Sequence, residues 1–501
     1  MRKIEKKTKG RIWLIPALIC TIFAGGQFCA PFVVWLYPLL LYRVATYEKK
    51  NSVLTYILLF LVIYVGSVIH YQYSLLGEPW YVSALVVLVY PLFFIWAIVI
   101  PAILYRKLEN HNVFRILVYP CIWVVVEYGF SYLGFGSVFS ISSTQEEFYS
   151  FSQCASIFGV FGLSFVMVLV SSIICDIWNH KFMFSKFKFL GNEVLSLVIV
   201  LILCFSYGSI RLALNPPSSD TTRVASVLNF YGTKDFVSIE EGLKLFSDEH
   251  VNESLAYMEK DVVNAKKEGA SIIMWQEICF NASSSNIDHF LDKASSIAKQ
   301  NNIAMVIPLD YLEARGVPRL NQAIFINKDG NVDFRYDKVN LVPIVETFDM
   351  KEGEPTLCHT KVDDIKVGVA ICYDALNPQF IRAYLHEDTD LLLVPALEWE
   401  SIANYIGTSS MFRSVEHGVS YIRNTGAGIV FSCDQFGRPL NYYNSLGENP
   451  GILYIDLPAD HVVTIYQYIG DLVVYLSILF FAFIVIFVIV NSRKSKVRSK
   501  Q

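Results

Sequence analysis

Charged side chains are scarce in this chain. Asp, Glu, Lys and Arg make up 17% of its 501 residues, against about 25% in an average soluble domain. Apolar residues supply 54% and the mean hydropathy is +0.42, which is not the composition of an ordinary soluble protein. The ten cysteines contain no CxxC pair, which leaves a zinc site with little support, so no metal is expected. Nor do cysteines so scattered form a disulfide framework. Cys20, Cys29, Cys121, Cys154, Cys175 and Cys204 fall in or beside apolar spans, where the thiol behaves as a small hydrophobe. Cys279, Cys358, Cys372 and Cys433 lie in the one long hydrophilic block. No repeat and no low-complexity segment occurs, and no Ala-x-Ala site follows the first apolar run, which argues against a cleaved signal peptide. The net charge of −4 carries little information because the charges are unevenly placed, and no nucleic-acid partner is expected.

What is abundant is apolar sequence in lengths that suit a bilayer, about 20 residues per crossing. Eight candidate spans are read, at 12–28, 31–47, 54–72, 81–104, 114–133, 155–176, 193–210 and 469–491. The first two are short and read either as separate crossings or as one broken hairpin. Basic residues cluster in the N-terminal segment, near 43–50, 106–115 and 181–188, and in the C-terminal tail. The alternate loops near 26–30, 73–80 and 134–154 contain none. Lys and Arg favour the cytoplasmic side in short loops. Both termini are therefore expected in the cytoplasm and the hydrophilic block on the outer face. The domains expected are a membrane bundle over 1–214, a catalytic block over 215–465, and a last span with a basic tail over 466–501. Glu127 lies inside the fifth span, where a charge is costly. It reads either as a contact to a substrate headgroup or as a structural carboxyl bonded between helices.

In the hydrophilic block, short apolar runs alternate with charged helical stretches, which argues for α/β architecture. Strands are expected at 224–228, 271–275, 303–309, 323–326, 365–371, 391–396, 427–432 and 452–456. Helices are expected at 239–268, 286–300, 377–386 and 408–422.

Three residues of this block suggest covalent thiol catalysis. Cys372 closes the apolar run Val367-Gly368-Val369-Ala370-Ile371, and Glu277 follows Ile272-Ile273-Met274-Trp275. Lys338 lies between them in sequence. A thiol attacks a carbonyl well only as thiolate or with a base to take its proton. A glutamate between apolar walls suits that base, because burial raises a carboxyl pKa. A lysine supplies a fixed positive charge for the oxyanion of a tetrahedral intermediate.

The order Glu277, Lys338, Cys372 in one α/β block resembles the nitrilase (carbon–nitrogen hydrolase) superfamily. The membrane spans narrow the resemblance to its membrane-embedded branch, the apolipoprotein N-acyltransferase family. Lys338-Val339-Asn340-Leu341-Val342-Pro343 with Glu346 is similar to that family's lysine loop, and Gly368-Val369-Ala370-Ile371-Cys372-Tyr373 to its nucleophile segment. Arg413-Ser414-Val415-Glu416 with Arg423-Asn424-Thr425-Gly426 resembles the following helix and strand entry; Glu416 and Arg423 are read as structural. Ala30-Pro31-Phe32 with Trp35, and Trp123 with Glu127, resemble the membrane signatures. Three departures stand out. Tyr373-Asp374 replaces the usual Tyr-Glu, and Thr347-Phe348-Asp349 replaces an aromatic-proline segment. Leu397-Glu398-Trp399-Glu400-Ser401 replaces Asn-Asp-x-Trp-Phe, with only Trp399 kept. The departures fall at the expected substrate entrance.

The resemblance implies a multi-pass helical membrane bundle plus a nitrilase-like αββα sandwich outside the cytoplasm of a bacterial inner membrane. It implies Glu277 as general base, Lys338 as oxyanion stabiliser and Cys372 as nucleophile. Glu346, Tyr373 and Asp374 would support them, while Trp399 and Glu127 are candidates for substrate contact. No cofactor is required. The expected donor is a phospholipid, and the expected acceptor is the N-terminal amine of a diacylated apolipoprotein, with membrane lipid around both. The same triad is compatible with a membrane-tethered amidase acting on a small amide. A catalytically inactive scaffold is a third reading, against which the intact triad argues.

Overall fold

The computed structural model describes residues 11–25, 28–47, 52–71, 87–179, 187–228, 239–343, 345–398, 400–446 and 451–498. They divide into two compact units. One comprises Met1–Leu133, Ser137–Leu214 and Tyr468–Gln501; the other comprises Gly134–Gly136 and Asn215–Gln467.

The first unit is helical. Among the described residues, five helices are long and apolar enough to cross a membrane: Val89–Lys107, Asn112–Phe135, Ala155–Asn179, Val194–Leu214 and Leu472–Arg493. Eight candidates were expected from hydropathy. The other three are helical but shorter, at Leu14–Ile22, Pro31–Tyr47 and the apolar stretch Val53–Ile69. The first two are separate helices, with the Ala30 N–H donating to the Phe23 carbonyl (2.9 Å) across the turn. Val194–Leu214 and Leu472–Arg493 leave most of their apolar surface uncovered by protein, as a face turned to lipid requires. The interior of the unit is polar where it must be paired. Arg115 and Asp176, both buried, make two parallel bonds of 2.7 and 2.8 Å, and the Tyr105 hydroxyl donates to the same carboxylate.

The second unit is built on two sheets. The first holds β1 (Thr221–Val227), β2 (Ile272–Met274), β3 (Phe280–Ser283), β4 (Ala304–Leu312), β5 (Leu320–Ile326), β6 (Val332–Asp337) and β13 (Ile452–Pro458). The second holds β7 (Cys358–Val362), β8 (Ile365–Val369), β9 (Leu391–Ala396), β10 (Ser420–Thr425), β11 (Ile429–Cys433) and β12 (Pro439–Asn444). Their orders are β13-β1-β2-β4-β5-β6, with β3 beside β4, and β12-β11-β10-β9-β8-β7. Each sheet has a parallel centre, β1-β2-β4 and β8-β9-β10, flanked by antiparallel strands. Helices Asp248–Lys267 and Ile287–Asn301 cover the first sheet, sinking Val251, Leu255, Met258, Phe290 and Ala294 against Ile273, Met305, Ile307 and Ile324. Strands β9 and β10 are buried on both faces. At the carboxyl end of the parallel strands the sheets are stitched together. The Asn424 amide donates to the Val227 and Met274 carbonyls (3.1 and 3.2 Å), and the Glu277 N–H donates to the Ala396 carbonyl (3.2 Å). This is the nitrilase-like fold, with helices outside paired sheets.

Two expected helices are corrected. The stretch 239–268 is two helices, Ile239–Lys244 and Asp248–Lys267, because Ser247 caps the second by accepting from the His250 N–H. The stretch 408–422 is not one helix. Helix Glu400–Ser409 ends before Ser410–Met411, and helix Phe412–His417 ends at Gly418, whose left-handed φ of +62° turns the chain into β10.

Candidate active site

The site gathers at the carboxyl ends of the parallel strands, where ligand sites of α/β sheets form. Glu277, Lys338, Cys372 and Arg423 are 2%, 1%, 5% and 0% exposed. Glu277 leaves β2 behind the buried Trp275, whose indole N–H donates to Asp261 (3.0 Å). Ile278 follows at φ +47°, and the chain turns sharply behind the carboxylate. The Glu277 Oε1 accepts from the Asn321 amide (2.7 Å) and from Lys338 Nζ (2.8 Å). Its Oε2 accepts from the Leu397 N–H (2.7 Å).

Lys338 follows β6 and is pinned at both backbone ends, donating to the Asn321 carbonyl (2.8 Å) and accepting from the Gly353 N–H (2.9 Å). Its ammonium bonds Glu277 and, at 2.7 Å, Glu346 Oε1. Burial alone would pull this pKa down, but the charges of Glu277 and Glu346 outweigh it and hold Lys338 well above the usual lysine range. It is a permanent cation. Glu346 also accepts from the Val342 N–H of its own loop (2.7 Å), so it closes the lysine loop on itself. Burial raises the Glu346 pKa against the pull of Lys338.

Cys372 opens a tight 3-10 turn, Cys372–Leu376, directly after β8, with φ at +44°. A non-glycine residue in that region is strained and marks a functional constraint. Its thiol points to the Leu397 carbonyl (3.8 Å). Burial pushes the thiol up to about 12, with the Glu277 charge adding and Lys338 and Arg423 opposing. At pH 7 such a thiol is thiolate in only roughly one molecule in 10⁵. Attack by such a thiol would need a base, and Glu277 is bonded to the N–H of Leu397, the residue whose carbonyl receives the thiol.

Asp374 staples the nucleophile turn to the lysine loop. It accepts from the Tyr336 hydroxyl (2.6 Å) and from the Asn340 N–H and side-chain amide (2.7 and 2.8 Å). These are neutral donors, so the carboxylate positions the turn through hydrogen bonds rather than through an ion pair. Tyr373, beside the thiol, is buried in the same turn.

Three residues of the site, Arg423, Leu397 and Glu398, were read from the sequence in other roles. Arg423, read as structural with Glu416, reaches the nucleophile: Nη2 lies 3.4 Å from Cys372 Sγ, and Nη1 donates to the Cys372 carbonyl at 2.9 Å. Its Nε pairs with Glu398 at 2.6 Å, while Glu416 pairs instead with Arg413 at 2.7 Å. Arg423 lies just past the helix expected at 408–422, in the strand Ser420–Thr425, whose polar sequence gave no apolar run to mark it. Leu397 and Glu398 were expected at the substrate entrance. They contact the base, the thiol and the guanidinium directly. Trp399 lies outside the described residues. Glu127 is buried in the helical unit, where its oxygens accept from the Trp123 indole (2.8 Å), the Ile141 N–H (3.0 Å) and the Ser140 hydroxyl (2.9 Å). Protein donors occupy that carboxylate, which favours the structural of its two readings. Among the described residues no group of three His, Cys, Asp or Glu is arranged to hold a metal ion.

A buried acid, lysine and cysteine meet at the seam of two parallel-centred sheets, the arrangement expected of a carbon–nitrogen hydrolase. Residues 245–428 match the carbon-nitrogen hydrolase family model, and residues 17–173 match the model of the apolipoprotein N-acyltransferase N-terminal domain. The chain is 24% identical over 384 residues to an apolipoprotein N-acyltransferase of Geobacter metallireducens, covering 72% of each chain. It is 24% identical over 406 residues to that of Rickettsia prowazekii, covering 74% of this chain and 76% of the other. Among solved structures, an amidase from Nesterenkonia sp. aligns at a TM-score of 0.40 and 22% identity, over 49% of this chain and 93% of that one. In both its matched domains and its curated relatives, this chain is similar to the apolipoprotein N-acyltransferases of the carbon–nitrogen hydrolase superfamily.

Proposed function

We propose that this protein moves an acyl chain from a phospholipid, through a thioester on Cys372, to the N-terminal amine of the S-diacylglyceryl cysteine of an apolipoprotein. The observation that carries the reading is the presence, in one chain, of the buried Glu277–Lys338–Cys372 site and of helices matching the N-terminal domain of that acyltransferase family. A membrane-tethered amidase acting on a small amide needs the first but has no lipid substrate for a domain of that family to serve.

In the first step Glu277 takes the Cys372 proton and the sulfur attacks the ester carbonyl carbon. Negative charge gathers on the carbonyl oxygen, facing the Lys338 ammonium and the Tyr373 N–H. The carbon–oxygen bond breaks, and Glu277 returns its proton to the departing lysophospholipid oxygen. In the second step the lipoprotein amine attacks the thioester and gives a proton to Glu277. The carbon–sulfur bond breaks, and that proton restores the thiol. Glu346 keeps Lys338 charged and aimed, and Asp374 holds the turn. A dry apolar site restrains hydrolysis between the steps. The enzyme is read as an inner-membrane protein of a bacterium, with its catalytic unit on the outer face and both termini in the cytoplasm.

Purified protein given phospholipid and a diacylated lipopeptide should yield the triacylated peptide, with a long-chain acyl group on Cys372 visible by mass spectrometry. Cys372→Ala should form neither. Full product formation by that variant, or release of free fatty acid without transfer, sinks the reading.

A further inference from the structure

Arg423 has no place in the acid–lysine–cysteine scheme, yet it touches the reacting atom. Burying a guanidinium costs several kcal/mol in lost hydration, and apolar side chains of similar volume fill such space at least as stably. Structure alone is thus a poor reason for its presence. Its guanidinium bonds the Glu398 carboxylate, the Cys372 carbonyl and the Cys372 sulfur. Lys338, the other cation acting on the thiol, is matched by two carboxylates, Glu277 and Glu346. Arg423 is matched by one. In the resting site, therefore, the guanidinium is the less cancelled of the two positive charges near sulfur.

We propose that Arg423 is a further catalytic residue, which stabilises the Cys372 thiolate both when it attacks the ester and when the amine displaces it, and that Glu398 is the positioning residue that aims it. The thiolate forms twice in each cycle, as nucleophile and as leaving group, so one fixed cation at 3.4 Å serves both steps. The bond from Arg423 to the Cys372 carbonyl also holds the backbone at its left-handed φ, which keeps the sulfur within reach of the guanidinium. The 397–398 loop, where this chain departs from its family's pattern, then tunes the nucleophile itself. This inference rests on the reading of Cys372 as the nucleophile.

The test is the rate at which iodoacetamide alkylates Cys372 in the full-length protein in detergent, followed by mass spectrometry of the Cys372 peptide across pH 6–11. In Arg423→Gln the rate at neutral pH should fall about tenfold or more, with the profile displaced to higher pH, since one pH unit of displacement is tenfold in thiolate. In Glu398→Gln the acceptor for Nε is kept and the opposing charge is lost, so the rate should rise severalfold. A purely structural pair would slow both variants. Coincident profiles for Arg423→Gln and wild type, or slowing in Glu398→Gln, overturn the proposal. If Arg423→Gln does not fold, the Glu398→Gln result decides alone. Failure of the underlying reading looks different: Cys372→Ala would retain acyl transfer whatever the alkylation profiles.

Discussion

At the scale of single residues, the backbone of Leu397 touches both the proposed base and the proposed nucleophile. The Leu397 N–H holds Glu277 and the Leu397 carbonyl faces the Cys372 thiol. Both contacts are backbone, so the side chain at 397 is free to change while the N–H is not. Leu397→Asn should keep acyl transfer within a few-fold of wild type. Leu397→Pro removes the donor and leaves a buried carboxylate oxygen short of a partner, at about 1–3 kcal/mol; transfer should fall by at least tenfold in the lipopeptide assay. The sequence made Glu277, Lys338 and Cys372 legible because each closes or adjoins an apolar run and their order carries a family pattern. Arg423 was legible only as part of a family motif, in a structural role. Nothing in sequence spacing reveals that a residue 51 positions downstream bonds the nucleophile. Backbone contacts such as those of Leu397 leave no residue-type signal at all.

At the scale of elements, the parallel centres were readable except for β10, and of the sheet edges only β13 was. Buried strands such as Leu391–Ala396 are continuous apolar runs and were expected at their observed limits. The edge strands Val332–Asp337, Cys358–Val362 and Pro439–Asn444 are partly exposed and polar, and their hydrophobic pattern is too weak to declare them. The overlong helix expected at 408–422 shows the same competition from the other side. Helical periodicity runs on through a junction that only Gly418 breaks. That glycine sits at φ +62°, and a Cβ there would lie 1.7 Å from the Val462 carbonyl oxygen. Gly418→Ala should therefore destabilise the catalytic unit by at least about 2 kcal/mol, combining left-handed strain with the clash. The loss should be seen as a lowered unfolding midpoint. Because β10 follows directly and carries Arg423, acyl transfer should fall with it.

At the scale of the whole molecule, the two units answer to different solvents. The uncovered apolar faces of Val194–Leu214 and Leu472–Arg493 require lipid, and the paired buried charges of the catalytic unit require a closed fold. Single cysteines introduced at exposed positions of the catalytic unit, such as Asp329, should react with a membrane-impermeant maleimide in intact spheroplasts. Cysteines in the 493–498 tail should react only after permeabilisation. The reverse pattern would invert the proposed topology. Finally, the base comes from one sheet and the thiol and guanidinium from the other, and all three meet only where the sheets are stitched at Asn424 and Ala396. A chain still emerging during synthesis therefore carries a thiol with neither base nor cation beside it. Its thiol has the ordinary reactivity of a free cysteine, and the paired charges that would direct it to an ester come together only when the two sheets close.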